Sequence, residues 1–279
     1  LQMMVRRICL GLSHLYLCRI WLLQVRDLEV LTKAARLAGV IAMNYFKSDP
    51  QVWDKGGTAG PVTEADLAVN DMLLKKLKLS RPSYGWLSEE TEDNYLRQTT
   101  EHVFIVDPID GTRAFIEGAT NWGHSLAIAR NGQIITATVF MPVLDLIFTA
   151  TLGGGAFVNG KRLQVAVRDD VKGADILATK QNFQEEFWPG GLPDIIRSFK
   201  SSLAYRLCLV AQGKFDGMLT LRPTWEWDVA AGCLIVSEAG GLVTDRTGSK
   251  LQFNSLKAQL NGIVASNADV HRGLMMGLL

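Results

Sequence analysis

The stretch His102-Val103-Phe104-Ile105-Val106-Asp107-Pro108-Ile109-Asp110-Gly111-Thr112 decides how the rest of the chain is read. Its first half is a compact run of β-favouring residues and predicts a strand. That strand delivers Asp107 to the edge of a sheet. Pro108 then forces an abrupt turn, which lets Asp110 point back toward Asp107. Gly111 permits close backbone approach, and Thr112-Arg113 would open a helix whose amide end favours an anion. A turn accounts for Pro108 and Gly111, but not for two acids beside an apolar strand. Two close carboxylates repel, and a hard divalent cation between them removes the repulsion. All the candidate donors are oxygens, which favours Mg²⁺, with Mn²⁺ or Ca²⁺ as substitutes, over Zn²⁺. The D-x-x-D spacing does not offer the nucleophile-plus-acid geometry of D-x-D phosphatases.

Downstream of this stretch, Ser125–Arg130 leads into Asn131-Gly132, a strong hairpin signal. Ile134–Met141 returns, Pro142 turns, Leu146–Ala150 runs out again, and Asn159-Gly160 marks another hairpin. The middle of the chain is therefore expected to be an antiparallel meander. Upstream, Leu31, Ala34, Ala35, Ala38, Ile41 and Tyr45 recur at helical spacing from Asp27 onward, and Ser48-Asp49-Pro50 ends that helix. A Gly-rich loop, Lys55 to Pro61, follows. Thr63 then stands as an N-cap with Asp66 in capping-box position, opening a helix that Ser80-Arg81-Pro82 stops. The last third alternates: strands at 174–178 and 217–221, helices at 203–212 and 228–239, further strands near Val243 and Val264, and a closing helix at 268–278. The expected fold class is α+β: a layered α-β-α-β-α sandwich with an N-terminal antiparallel sheet and a C-terminal mixed sheet. Its halves are expected at 27–170 and 171–279.

Two further segments concentrate acids at element ends: Ser88-Glu89-Glu90-Thr91 past a short strand, and Trp227-Asp228-Val229-Ala230-Ala231-Gly232 at a helix start. Alone, Asp228 reads as an ordinary N-cap and Glu89-Glu90 as a solvated pair.

Composition bounds the function classes. The chain has 279 residues, 48% of them apolar, which excludes disorder as the main state. A net charge of +1 leaves no whole-chain footprint for nucleic acid or an anionic membrane. Four cysteines without a CxxC pair argue against a disulfide framework or a zinc site. Reduced thiols in a cytoplasmic protein are expected instead. Residues 1–26 start basic and turn apolar, but His14 and Arg19 interrupt the run and no cleavage site follows, so neither a signal peptide nor a membrane span is expected. They are read as an N-terminal extension from an upstream start or an artificial leader.

Together, SEET (88–91), DPIDGT (107–112), WDVAAG (227–232) and the upstream Pro61-Val62-Thr63-Glu64-Ala65-Asp66 resemble, in order and spacing, the motifs of the inositol monophosphatase superfamily of metal-dependent phosphomonoesterases. The resemblance covers Asp27 to the C-terminus. It implies that Glu89, Asp107, the Ile109 carbonyl, Asp110 and Asp228 hold two or three Mg²⁺ ions, with Glu90 a weaker candidate. It also implies that Asp66 and Thr112, with Glu89, activate the attacking water, and that Gly111 and Thr112 amides cradle the phosphate. Lys55 lies where the family has a mobile-loop lysine, although a solvated loop lysine explains it equally well. A homodimer is implied as well. Ser88 stands for the usual Gly and Thr91 for the usual Ser, and neither change removes a carboxylate. On the substrate side, Glu226 and Trp225 are expected to touch the alcohol half. Ser201–Arg206 is a second candidate wall, and its Ser-Ser-Leu run resembles bacterial bisphosphate nucleotidases of the same superfamily. Trp225 or Tyr205 could stack on adenine, or both could be core residues. Four readings follow: hydrolysis of inositol monophosphate, a 3′(2′),5′-bisphosphate nucleotidase, a phosphatase of sugar bisphosphates, and a regulatory protein that binds the transcription machinery.

Overall fold

The computed structural model describes residues 12–56 and 60–279, with side chains from residue 22. Helix α1 (Leu12–Tyr45) runs unbroken past Asp27, where the helical pattern was expected to begin. No proline or glycine stands between residues 12 and 26 to stop it. The rest of the expected extension, residues 1–11, lies outside the described residues, as does the centre of the Gly-rich loop at 57–59.

Helix α1 buries Leu31, Ala34, Ala35, Ala38 and Ala42, a stripe of small side chains that lets its backbone lie close on a sheet. Helix α2 (Glu64–Ser80) lies beside it and buries Ala65, Val69, Leu73 and Leu77. Its N-terminus is the expected capping box: Thr63 caps, and Asp66 bonds back to the Thr63 amide. A short hairpin, residues 52–54 with 61–63, precedes it.

Under these helices lies a seven-stranded sheet in chain order: β1 (Gly85–Ser88), β2 (His102–Asp110), β3 (Gly123–Arg130), β4 (Gln133–Met141), β5 (Leu146–Thr151), β6 (Gly155–Val158) and β7 (Lys161–Arg162). Asn131-Gly132 and Asn159-Gly160 both adopt positive φ, as tight hairpins require. The meander is antiparallel from β2 onward, but β1 pairs with β2 in parallel. The chain recrosses through residues 89–101 before β2, so both strands run the same way. That crossover also places Glu89 and Asp107 at the same end of the sheet.

The opposite face of the sheet meets α4 (Leu203–Ala211) and α5 (Glu226–Glu238), which follow the five-residue α3 (Thr112–Ile116) in the chain. All nine residues of α4 are buried, because a second sheet covers its other side. Gly232 on α5 makes the close α4–α5 approach possible: a Cβ there would lie 2.5 Å from Leu207 Cδ1. The second sheet holds β8 (Ala174–Leu177), β9 (Ile195–Ser198), β10 (Gly217–Thr220), β11 (Leu242–Thr244) and β12 (Ile263–Ser266), in the order β9-β8-β10-β12-β11. It is mixed: β9 and β10 run parallel to β8, while β12 is antiparallel to its neighbours. Helix α6 (Ala268–Leu278) and Trp188 cover its outer face. Three cores fill the four interfaces between five layers, the central one lying on both faces of the α4–α5 layer, and give the α-β-α-β-α sandwich. The central core takes residues from Leu87 to Ala265, so it belongs to both halves of the chain. Among the described residues, no helix is long and apolar enough to cross a membrane.

Candidate active site

Three segments bring their acids to one point. Glu89 follows β1 directly, and its amide donates to the Val106 carbonyl at 3.2 Å, which extends the β1–β2 pairing. Asp107 lies near the end of β2. Asp228 is the third residue of α5, which Trp225 caps, so it is not the N-cap that its residue type suggested. Ser125 joins the last two. It faces Asp107 across the β2–β3 ladder, and its hydroxyl donates to the Trp227 carbonyl at 2.9 Å. Ligand oxygens of Glu89, Asp107 and Asp228 consequently lie within 4.8 Å of one another.

The sequence led us to expect an abrupt turn at Pro108, but the strand runs through it. β2 continues to Asp110, with a register shift between Asp107 and Asp110 that inserts an extra residue against β3. His124, fully buried on β3, faces this bulge, and its Nδ1 lies 2.5 Å from the Pro108 carbonyl. Since a carbonyl only accepts, Nδ1 carries the proton. Burial pushes the ring's pKa down to about 4, so it stays neutral. Gly111 takes φ +96° after the bulge, where a Cβ would lie 3.0 Å from the Asn121 carbonyl, and Thr112 starts α3.

The carboxylates are held in an uneasy state. Burial, then Glu89, Asp110 and Asp228, hold Asp107 well above the usual carboxylate range. Its Oδ1 is buried and has no hydrogen-bond partner among the described residues. Burial and then Asp110 and Glu89 do the same to Asp228, against the opposing charges of Arg222 and Lys55. Lys55 Nζ sits 2.9 Å from Glu89 Oε1 and 2.5 Å from Glu90 Oε1. Burial alone would lower the lysine, but the two glutamates outweigh it and its pKa rises. Glu90 rises to about 7, mainly through burial and then Glu89. Three converging oxygen donors, one orphaned buried oxygen and an ammonium drawn onto the cluster all fit a hard divalent cation.

Asp66 and Thr112 form a second pair. Asp66 Oδ2 accepts from the Thr63 amide at 2.8 Å and the Thr63 hydroxyl at 2.6 Å. Its Oδ1 lies 3.3 Å from Thr112 Oγ1, which is also 3.1 Å from the Ile109 carbonyl. Burial raises Asp66 to about 6 against its bonds to Thr63. Asp66 thus caps α2 with one oxygen and faces Thr112 with the other.

Other expected residues lie elsewhere. Asp110 stands outside the three-carboxylate cluster. Its oxygens accept from the Ser202 hydroxyl, the Ala204 amide at 2.7 Å and the Leu203 amide at 3.3 Å, all at the start of α4. It rises to about 6, burial outweighing those bonds. The Ser201–Arg206 segment therefore holds Asp110 rather than forming an open wall. Glu226, expected on the alcohol side, is fully buried, and both its oxygens accept backbone amides of Asn254 and Ser255. Tyr205 belongs to the central core, where its ring meets Phe148 edge-on. Trp225 stacks on Trp227 at 4.7 Å and is partly buried against the same core.

Sequence reasoning missed His124, Ser125 and Asn70. Asn70 lies one turn beyond Asp66 on α2. Its Oδ1 accepts from Ser88 Oγ at 2.8 Å, and its Nδ2 donates to Thr91 Oγ1 at 3.1 Å. Ser88 and Thr91, the two departures from the motif, thus tie the Glu89 loop to α2. The four-residue spacing from Asp66 was the available signal for Asn70, since such residues share a helix face.

Comparison with known proteins gives one answer. Residues 24–278 match the model of the inositol monophosphatase family. An inositol-1-monophosphatase from Mesorhizobium japonicum is 31% identical over 89% of this chain and 94% of its own. The Nus factor SuhB of Escherichia coli is 34% identical over 90% of this chain and 95% of its own. The crystal structure of extragenic suppressor protein suhB from Bartonella henselae superposes with a TM-score of 0.78 at 29% identity, covering 91% of this chain and 98% of the other.

Proposed function

The chain belongs to the inositol monophosphatase family and is a phosphoric monoester hydrolase, and from that premise we propose that it is a Mg²⁺-dependent phosphatase of a small phosphomonoester, with inositol monophosphate the leading substrate. The observation that carries this reading is the meeting of Glu89, Asp107 and Asp228 within 4.8 Å, with Asp107 Oδ1 left unpartnered. These three would hold the metal. The Ile109 carbonyl and Asp110 would add oxygens, since a carboxylate oxygen already bonded to an amide keeps a second lone pair. Once bound, Mg²⁺ supplies charge that acidifies a coordinated water and offsets the leaving oxygen.

The remaining steps belong to the chain. Thr112 Oγ1 holds the water and relays its proton to Asp66 Oδ1. With a pKa near 6, Asp66 is ionised and able to accept at pH 7.5. The bonds from Thr63 hold it in place. Gly111 and Thr112, at the start of α3, face the phosphoryl oxygens. With a cation in the cage, Lys55 would be freed from Glu89 and Glu90 to pair with the phosphate. Lys55→Gln should therefore lower the Mg²⁺ concentration for half-maximal rate about fivefold, the worth of roughly 1 kcal/mol of ion pairing, while raising KM. A magnesium titration at saturating substrate checks this, and an unchanged half-saturation would contradict it.

One observation favours the bisphosphate nucleotidase reading. Arg206 and Arg222 both lie within electrostatic reach of Asp228, and neither is ion-paired among the described residues. Arg222 is exposed. The exposed Arg222 guanidinium beside the cluster suits a substrate with a second anionic group, whereas Arg206 is buried and donates to the Lys200 carbonyl. Parallel turnover assays on inositol 1-phosphate and adenosine 3′,5′-bisphosphate decide between the readings. If the nucleotide is the substrate, Arg222→Gln should cost its kcat/KM about tenfold, near 1.4 kcal/mol, and leave the inositol phosphate unchanged. Equal losses on both would remove Arg222 from specificity. The complete acid set supports catalysis over a purely regulatory role in transcription. Buried free Cys208 and Cys233 support a cytoplasmic setting. A homodimer is proposed on family membership alone.

A further inference from the structure

We propose that buried Arg97 and Glu226 act through the 254–256 loop as a strut that sets the spacing between Glu89 and Asp228, so both are positioning residues for the metal cage. The proposal rests on the metal-dependent reading above and extends it to residues outside the cluster.

Arg97 is eight residues past Glu89, and Glu226 is two before Asp228 on the same first turn of α5. Both are charged, and both are almost completely shielded from solvent. They do not touch directly; a peptide lies between them. Glu226 Oε2 accepts the Asn254 amide at 2.5 Å and Oε1 accepts the Ser255 amide at 2.8 Å. From the other side, Arg97 Nη1 donates to Asn254 Oδ1 at 2.5 Å, and Nη2 donates to the Ser255 carbonyl at 2.9 Å. Arg97 is itself fixed by Asp93 Oδ2, at 2.9 Å from Nε and 2.7 Å from Nη2. Asn254 takes φ +61°, a left-handed conformation that Asn tolerates. The Glu226 amide adds a bond to the Ala258 carbonyl at 2.9 Å. The loop thus gives its amides to the anion and its carbonyls to the cation.

This arrangement answers a mechanical need. The three carboxylates repel one another until a cation arrives, and that repulsion pushes the Glu89 loop and the α5 start apart. Buried charge-assisted bonds are directional and strong. A network of them joining the two segments holds the cage at binding distance beforehand. Partners beyond the ligands typically tune metal affinity by about 10- to 100-fold.

The test uses Mn²⁺ alone, titrated into the full chain and followed by the electron paramagnetic resonance of free Mn²⁺, alongside thermal melts. Asp27→Asn is the control. Asp27 is also fully buried and ion-paired, with Arg81 at 2.8 Å, and it takes no part in the cage. Glu226→Gln should weaken Mn²⁺ binding about tenfold, whereas Asp27→Asn lowers the melting point and leaves Mn²⁺ affinity unchanged. If Glu226→Gln does not fold, Asn254→Gly serves. Glycine suits the positive φ, and only the Asn254 side chain's contacts are lost, chiefly the bond to Arg97. It should weaken binding about threefold, against the tenfold range for outer partners. Variants that melt lower but bind Mn²⁺ within a factor of 1.5, taken as about the resolution of the titration against that range, would overturn the strut. Absence of Mn²⁺ binding by the unmutated protein would overturn the metal-dependent reading beneath it.

Discussion

Asp107→Asn should cut turnover by about 10²- to 10³-fold or more, the scale of losing one fixed charge-stabilising group, while raising the melting point of the metal-free protein. The two effects share one cause. Asp107 is fully buried, carries an orphaned oxygen and faces Glu89, Asp110 and Asp228. Without a cation, its charge is a liability to folding, and an amide of the same shape relieves it. With a cation, the same charge is the centre of the cage. The pH dependence follows with a definite sign. A carboxyl whose folded pKa exceeds its unfolded value binds its proton more tightly when folded. The metal-free protein should therefore lose stability as pH rises from about 4, the unfolded value, through the raised folded values, which reach about 6 for Asp66 and Asp110 and about 7 for Glu90. Mg²⁺ should flatten that slope. Melting curves of both proteins across this range, with chelator and with Mg²⁺, check it. A metal-free Asp107→Asn protein that melts below the unmutated one would contradict the reading of the cluster as electrostatically strained.

Thr112→Val should lower kcat by about 10²- to 10⁴-fold, the range for a positioned proton acceptor, without shifting the Mg²⁺ concentration for half-maximal rate. Valine keeps the shape of threonine, so the bulge and α3 should persist. Asp66 keeps both Thr63 bonds, so the cap of α2 stays intact. The route from water to Asp66 Oδ1 is cut, and the Thr112 hydroxyl's bond to the Ile109 carbonyl goes with it. Asp66→Asn would cost similar turnover, but it also weakens the helix cap, by about 1 kcal/mol, which makes Thr112 the cleaner probe. A Thr112→Val enzyme that keeps its kcat would place the proton acceptor elsewhere, with Glu89 the next candidate.

What was legible in the chain was local. Asn131-Gly132 and Asn159-Gly160 fix hairpins because adjacent residues set the turn. Thr63 and Asp66 announce a helix start for the same reason. Residue chemistry also spoke for itself: clustered acids at element ends pointed to a cation before any fold was known. The rest depended on contacts between residues distant in sequence. Nothing near Asp110 shows that the start of α4, over 90 residues on, satisfies its oxygens. Glu226 looked like a substrate residue because it neighbours Asp228, and only the fold brings Asn254 and Ser255 onto it. Pro108 signals a turn in most settings, yet the β3 ladder and His124 hold the backbone extended through a bulge. The parallel β1–β2 pair escaped because direction depends on where the crossover returns, which periodicity does not encode.

The most direct check of the central claim is anomalous diffraction from crystals soaked in Mn²⁺. The strongest anomalous peak should lie between the carboxylates of Glu89, Asp107 and Asp228, with Lys55 Nζ withdrawn from Glu89. Anomalous peaks only at other acids, with these three side chains unliganded and Lys55 still in place, would contradict it.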